Sequence, residues 1–397
     1  MPWRASVNLH EYQAKTLFAQ YGIPVPKGKA ALTPEEVYDF ATELNAPVMI
    51  KAQVLSNQRV QNGMIQVAQT ADIARDHAAV LLGARMNGQV VDRVLVERLV
   101  TSVSEIYLSI TYDRERRKPV LLVSEMGGST VEQTAQDRPE AIIREEINPF
   151  LGVLDYQARE LASSINLPHE YWEAFTKIAQ SLYDCFASSD AILAEINPLI
   201  LNDENVFYAV DGRMMIDDNA QYRQPELHRM RNPAAESAVE TQAHQAGITF
   251  HQLQGQVTCM VNGAGLAMTV MDLIMLYGSP DVRPANFLDM GEDVSLKKVV
   301  SAFDIALTDS GIRSMLVNIF GGITPCDEIA NTVLEVIGSR QITVPIVVRL
   351  AGTRAEAGQA IIENGQVSNL WSEPSLMAAV KRSIEVARGI ANGDSGR

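Results

Sequence analysis

A chain of 397 residues is long enough for two or three domains with complete cores. Its formal charge of −15, with no basic tract to offset it, argues against a nucleic-acid binder. Hydrophobic residues make up 47% of the chain, and no apolar run approaches the roughly 20 residues of a bilayer span, so a globular protein off the membrane is expected. Cys185, Cys259 and Cys326 are odd in number and far apart. They make neither a disulfide framework nor a metal spacing, which points to a reducing, cytoplasmic setting. Met1-Pro2-Trp3-Arg4-Ala5-Ser6 has no apolar core of a secretion signal.

From Asn8 to about Gln224 short helices and strands mix. His10 to Tyr21 reads as an amphipathic helix, and Thr33-Pro34-Glu35-Glu36 opens a second with a cap and a proline in the first turn. Val48 to Val54 and Arg93 to Glu97 are strand-like, and Tyr107 to Tyr112 and Pro119 to Glu125 read as antiparallel neighbours. Helices follow at Asp155 to Ile165 and His169 to Ala187. Ile192 to Leu201 is then an apolar strand ending in the turn cluster Asn202-Asp203-Glu204-Asn205, with Val206 to Asp211 returning as the second strand of a hairpin. Arg231 to Gly247 is polar with weak apolar pattern, and the domain boundary is expected there.

After it the rhythm becomes strand, glycine turn, helix. Val257 to Val261, Ala285 to Leu288, Arg313 to Ile319 and Val344 to Leu350 are each followed by a turn and a helical stretch. Four such units in succession predict a parallel, doubly wound sheet, which binds ligands at the carboxyl edge of its strands. Gly393 to Arg397 reads as a frayed tail.

Several residues along this path carry chemistry. The hairpin can bring Asp211 beside Asn197, two hard oxygen donors suited to Mg²⁺ with a nucleotide phosphate; a polar-ended surface hairpin has the same spacing. Lys51 can set an ammonium against phosphates or snorkel to solvent. Glu97 can accept from a base or ribose hydroxyl or simply end its strand. Asn262-Gly263-Ala264-Gly265 and Phe320-Gly321-Gly322-Ile323-Thr324-Pro325 offer bare backbone NH groups at helix starts, with Pro325 fitting the first helical position. The six histidines show no metal spacing.

Together these segments resemble the β subunits of succinyl-CoA synthetase, the nucleotide-forming succinate–CoA ligases. Asn8-Leu9-His10-Glu11-Tyr12-Gln13-Ala14-Lys15, Tyr156-Gln157-Ala158-Arg159-Glu160-Leu161, Glu195-Ile196-Asn197-Pro198-Leu199, Asp217-Asp218-Asn219-Ala220 and Arg223-Gln224-Pro225 follow in family order. Val261 to Met268, Pro284 to Asp289 and Val317 to Ile323 complete the match. The resemblance implies an α/β protein with an ATP-grasp nucleotide-binding domain over residues 1–238 and a flavodoxin-like CoA-ligase domain over 239–397. It implies ATP or GTP as substrate, Mg²⁺, and an α subunit that holds CoA and the phosphate-carrying histidine, in an αβ heterodimer or its dimer. Lys51, Gln58, Arg59, Val60, Glu97, Val100 and Glu105 would meet the nucleotide, Asn197 and Asp211 would hold Mg²⁺, and Glu195 would orient the partner's histidine. Asn262, Gly322, Ile323 and Thr324 would bind the acid, and the helix from Pro325 would aim its dipole at the phosphohistidine.

Two departures bear on activity. After the Lys51 strand the family carries a histidine, a glycine run around an arginine and a lysine, whereas this chain reads Leu55-Ser56-Asn57-Gln58-Arg59-Val60-Gln61. Losing glycines removes bare backbone and losing the lysine removes a charge, so weaker nucleotide handling is expected. Gly291-Glu292-Asp293 replaces three glycines and adds carboxylates that repel an anion. An impaired or regulatory paralogue, or a ligase for another acid such as malate, are the alternatives.

Overall fold

In the computed structural model, which describes residues 6–55, 59–86, 89–128, 131–232, 238–292 and 294–389, the first helices start where the sequence supplies caps. Helix Glu11–Gln20 is preceded by His10, whose amide donates to the Gln13 side chain at 2.8 Å. Helix Pro34–Leu44 follows Thr33, whose hydroxyl accepts from Glu36 N at 3.2 Å. The chain divides into two units, Met1–Ala235 and Glu236–Arg397. Ser56, Asn57, Gln58, Asp293 and the tail after Gly389 lie outside the described residues.

In the first unit an antiparallel sheet runs in the spatial order Ser6–Asn8, Gly212–Asp217, Ala191–Leu201, Ser104–Asp113, Lys118–Ser124 and Ile143–Glu146. Helices Asp155–Ser164 and Trp172–Ser188 cover it, burying Leu161, Phe175, Leu182 and Phe186 in one cluster with Leu108, Ile110 and Ile196. A second antiparallel sheet orders Gly28–Ala31, Val94–Arg98, Val48–Ala52 and Ile65–Ala68. Its core joins Val48, Ile50 and Val96 to Val37 and Phe40 of one helix and Ala74, Ala78 and Leu81 of another.

The expected hairpin after Leu201 is present. Phe207–Ala209 pairs with Leu199–Leu201, Val210 N donates to Pro198 O at 3.3 Å and Asn197 N to Asp211 O at 3.2 Å, and residues 212–215 continue in the same register against 193–196. On the other side of the strand, Pro198 has no N–H to donate, and the pairing with Ser104–Asp113 shifts register between Ile196 and Leu199. Asn197 and Asp211 thus face each other across the hairpin, as expected.

The second unit confirms the doubly wound sheet. Strands Val257–Val261, Asn286–Asp289, Ser314–Gly321, Ile346–Gly352 and Leu370–Ser372 are parallel and lie in the order 2-1-3-4-5 by sequence. An antiparallel strand, Thr249–Gln252, caps the Asn286–Asp289 edge. Helices Leu296–Ala306, Cys326–Arg340 and Ala355–Asn364 pack on one face around Val317 and Val348, and Ala264–Gly278 and Leu376–Ala387 on the other around Leu316 and Val347. The order reverses between Val257–Val261 and Ser314–Gly321, the place where such sheets take ligands. A Cβ on Gly321 would stand 2.5 Å from Cys326 Sγ, so the tight turn there requires glycine.

One expectation is corrected, and two regions hold elements that were not expected. The polar stretch from Arg231 to Gly247 contains helix Ala238–Gln245, which buries Ala243; one apolar contact per turn gave too weak a period. The end of the chain adds Leu370–Ser372 and helix Leu376–Ala387 to the sheet unit. Pro325 is the N-cap rather than the first helical residue: its ψ of 152° is extended, and helix Cys326–Arg340 begins after it. Among the described residues no helix is long and apolar enough to cross a membrane.

Candidate functional site

Helix Glu11–Gln20 turns one face into the first unit, and that face carries charge as well as apolar groups: Glu11, Ala14, Lys15 and Phe18 are all buried. Strand Val48–Ala52 brings Lys51 to it, strand Val94–Arg98 brings Glu97, and the step after Ala209 brings the Val210 carbonyl and Asp211. Lys51 Nζ meets Glu11 Oε1 at 2.8 Å, Glu97 Oε1 at 2.7 Å and Val210 O at 2.5 Å. An ammonium has three protons, so all of its donors are used. Lys15 Nζ repeats the pattern, reaching Glu97 Oε2, Val210 O at 2.9 Å and Glu11 Oε1 at 3.5 Å.

Arg59 closes the cluster. One arm of its guanidinium lies 2.6 Å from Glu11 Oε2 and the other 2.6 Å from Asp211 Oδ2. Gly212 N donates to Asp211 Oδ1 at 2.8 Å. Lys15, Lys51 and Arg59 thus face Glu11, Glu97 and Asp211, three charges of each sign. Desolvation disfavours every one of these ions, and the pairing decides the outcome. Burial raises the Glu11 carboxyl, but Lys51, Arg59 and Lys15 outweigh it and hold it well below the carboxylate range. Burial likewise works against Lys51 and Arg59 as cations, and their carboxylate neighbours hold both above their ordinary values. Asp211 is displaced upward by desolvation, with Glu11 adding to the rise and Arg59 opposing it.

The contacts continue toward the other predicted residues. Asn197 N donates to Asp211 O at 3.2 Å, and Asn197 Oδ1 accepts from Gly128 N at 2.6 Å. Gly128 lies in the left-handed region with φ of 80°, and a Cβ there would stand 3.0 Å from Glu105 Oε2. Gly127 N donates to Glu105 O at 3.0 Å, so Lys51, Arg59, Glu97, Glu105, Asn197 and Asp211 are joined through one contact line, by backbone at Glu105. Glu195 is two residues before Asn197, paired in register with Arg213 and Ser109. Val100 is half-buried in the loop after its strand. Gln58 lies outside the described residues. Val60 is 62% exposed and has no positive φ, so its β-branch is unstrained where a glycine was expected to matter.

Asn197 and Asp211 fit a magnesium ion that draws its remaining ligands from phosphates and water: both offer hard oxygens with lone pairs left after their present bonds. Among the described residues no group of three or more His, Cys, Asp or Glu could hold a metal by itself.

In the second unit the switch point is latched. The Asn262 side chain donates to Phe320 O at 2.9 Å and accepts from Phe320 N at 2.7 Å, which leaves it one amide proton. Gly322 and Ile323 are exposed, and the Thr324 hydroxyl donates to Val294 O. Asp289, which the sequence reading passed over, accepts from Gly263 N at 2.6 Å and Gly291 N at 2.8 Å. A carboxylate of the chain's own thus sits on one amide of the turn expected to take an anion. Glu11 and Lys15 were also passed over: they share a helix face with Ala14 and Phe18, but an acid and a base four apart read as a solvent-exposed pair.

A family model for the ATP-grasp domain matches residues 8–201, and one for the CoA-ligase domain matches residues 260–382. The chain is 40% identical over 384 residues to the β subunit of ADP-forming succinate–CoA ligase of Chloroflexus aggregans, covering 96% of this chain and 99% of that one. The like-named subunit of Herpetosiphon aurantiacus is 41% identical, with 96% and 100% covered. Among solved structures, ATP citrate lyase of Methanosaeta concilii in complex with (3S)-citryl-CoA aligns with a TM-score of 0.67 at 16% identity, over 96% of this chain and 100% of that one, a likeness of fold. By its length-wide identity to those subunits, this chain belongs to the succinate–CoA ligase β-subunit family.

Proposed function

We propose that this chain is the β subunit of an ADP-forming succinate–CoA ligase, acting with an α subunit that holds CoA and a phosphate-accepting histidine. The observation that carries the reading is the contact line from Glu105 through Asn197, Asp211 and Arg59 to Lys51, in a chain 40% identical to such subunits over nearly its full length. ATP phosphorylates the partner's histidine, succinate takes the phosphoryl group as an acyl phosphate, and the CoA thiol displaces phosphate. Asp211 and Asn197 would hold Mg²⁺, which when bound neutralises the charge of the transferring phosphate. Glu105 and the Val100 loop flank the nucleotide, the turn at Arg59 and Val60 lies against its phosphates, and Glu195 orients the incoming histidine. Lys51 lends positive potential from below, since a direct phosphate bond would cost it a present partner.

The exposed Gly322-Ile323 edge, the backbone at Thr324 and the spare Asn262 proton take the acid's carboxylate. The name shared by the relatives supports ATP over GTP and succinate over malate. Length-wide identity also supports a working ligase over a regulatory paralogue. Three buried thiols, none of them in a disulfide, support a reducing, cytoplasmic setting.

The test is co-expression with the α subunit and an assay of succinate-dependent CoA thioester formation with ATP and with GTP. ATP-dependent product is expected, and Asp211→Ala should abolish phosphorylation of the α subunit while the complex stays assembled. No thioester with any nucleotide would overturn the reading.

A further inference from the structure

We propose that Arg59 is a built-in competitor for the divalent cation at Asp211, holding one carboxylate oxygen until the cation displaces it. The inference rests on the reading that Asp211 and Asn197 hold the metal. Asp211 Oδ2 is occupied by Arg59 at 2.6 Å and Oδ1 by Gly212 N at 2.8 Å, so a cation and the guanidinium contend for the same carboxylate. A divalent ion placed there with Arg59 still present would set two cations side by side in a largely buried site, where repulsion is weakly screened.

The other two cations cannot serve as the movable one. Lys15 and Lys51 are fixed on a helix and a strand, are 4% and 3% exposed, and each bonds two carboxylates and the Val210 carbonyl. Arg59 also bonds two carboxylates and, at 3.3 Å, the Ala52 carbonyl, but it begins a surface turn, closed by Met64 N on Arg59 O at 2.8 Å, whose residues from Val60 to Gly63 are exposed. Its departure strands no charge, because Glu11 keeps Lys51 at 2.8 Å and Lys15 at 3.5 Å. Once free, the planar fork is a bidentate donor matched to phosphate oxygens. The same side chain closes the site before the cation arrives and becomes available to its phosphate afterwards.

The experiment is Mn²⁺ titration of the full-length chain, read as loss of the free-ion paramagnetic resonance signal, for the parent, Arg59→Gln, Arg59→Lys and Asp211→Asn. Arg59→Gln should bind Mn²⁺ roughly tenfold tighter, the effect of removing one nearby like charge. Arg59→Lys keeps the charge but loses the planar fork that gives Glu11 and Asp211 one arm each, and should tighten binding by less. It also guards against loss of fold in the glutamine variant, with both checked by circular dichroism. Asp211→Asn should lose binding. Arg59 variants that bind no tighter than the parent, while Asp211→Asn loses the ion, overturn the competition and leave the metal site standing. An Asp211→Asn chain that binds like the parent overturns both.

Discussion

Glu11 and His10 are neighbours with opposite protonation problems. Glu11 must stay ionised in a buried site, and Lys51, Arg59 and Lys15 hold its carboxyl far below normal. It therefore stabilises the fold above the ordinary carboxylate range and loses that contribution only as pH falls toward the depressed value. His10 must stay neutral: burial, the main cause, lowers its pKa from 6.5 to about 4. The unfolded chain binds that proton first on acidification, so stability should fall between pH 6.5 and about 4, then level off for this group. A shift of that size corresponds to about 3 kcal/mol. His10→Gln should flatten this limb of a urea-midpoint-against-pH curve, and an unaltered curve would show that His10 carries no such cost. Asn197, Asp211 and Lys51 are legible in the sequence because oxygens or a lysine at strand ends stand out against apolar runs. Glu11 and Lys15 are not, since an acid and a base four apart on a helix read as a solvent-exposed pair. Only the burial of that helix face, a tertiary fact, turns them into the floor of the site.

At the scale of elements, the site depends on how closely helix Glu11–Gln20 approaches the strand that begins at Gly212. A Cβ on Gly212 would stand 2.5 Å from the Phe18 ring edge, and Phe18 is fully buried. Gly212→Ala therefore forces the helix outward or Phe18 off its rotamer, at about 1–3 kcal/mol. The same helix carries Glu11 and Lys15, and Gly212 N holds Asp211. The substitution should lower the thermal midpoint by several degrees and weaken Mg·ATP binding together. A lower midpoint with unchanged nucleotide affinity would mean the helix adjusts without moving its charges. The sequence shows the helix and the hairpin as far as Asp211. It hides the continuation over Gly212–Asp217, because Asp211-Gly212 reads as a turn although the pairing runs through it in one register.

The whole molecule has separate buried clusters in its two units: the first gathers around Phe18, Phe175 and Ile50, the second around Phe303, Val317 and Val347. Alternating strand–glycine–helix units make the second architecture readable from sequence, whereas the antiparallel sheets of the first pair strands far apart in the chain. The second unit also leaves apolar groups in water. Met268 and Met275, one heptad apart on helix Ala264–Gly278, are 56% and 41% exposed, and Phe320 and Ile323 beside the switch point are 57% and 86% exposed. Exposed apolar side chains of that kind suit a docking surface, and the proposed α subunit would be its occupant. Because these side chains make little of the core, Met268→Glu and Ile323→Glu should leave the thermal midpoint nearly unchanged. Each places a carboxylate in an interface that must then desolvate it, which should weaken capture of the α subunit at least about tenfold. The measurement is the dissociation constant of the αβ pair for parent and variants by calorimetry. Should both variants bind like the parent, the α subunit docks elsewhere on the chain and this apolar edge serves another purpose.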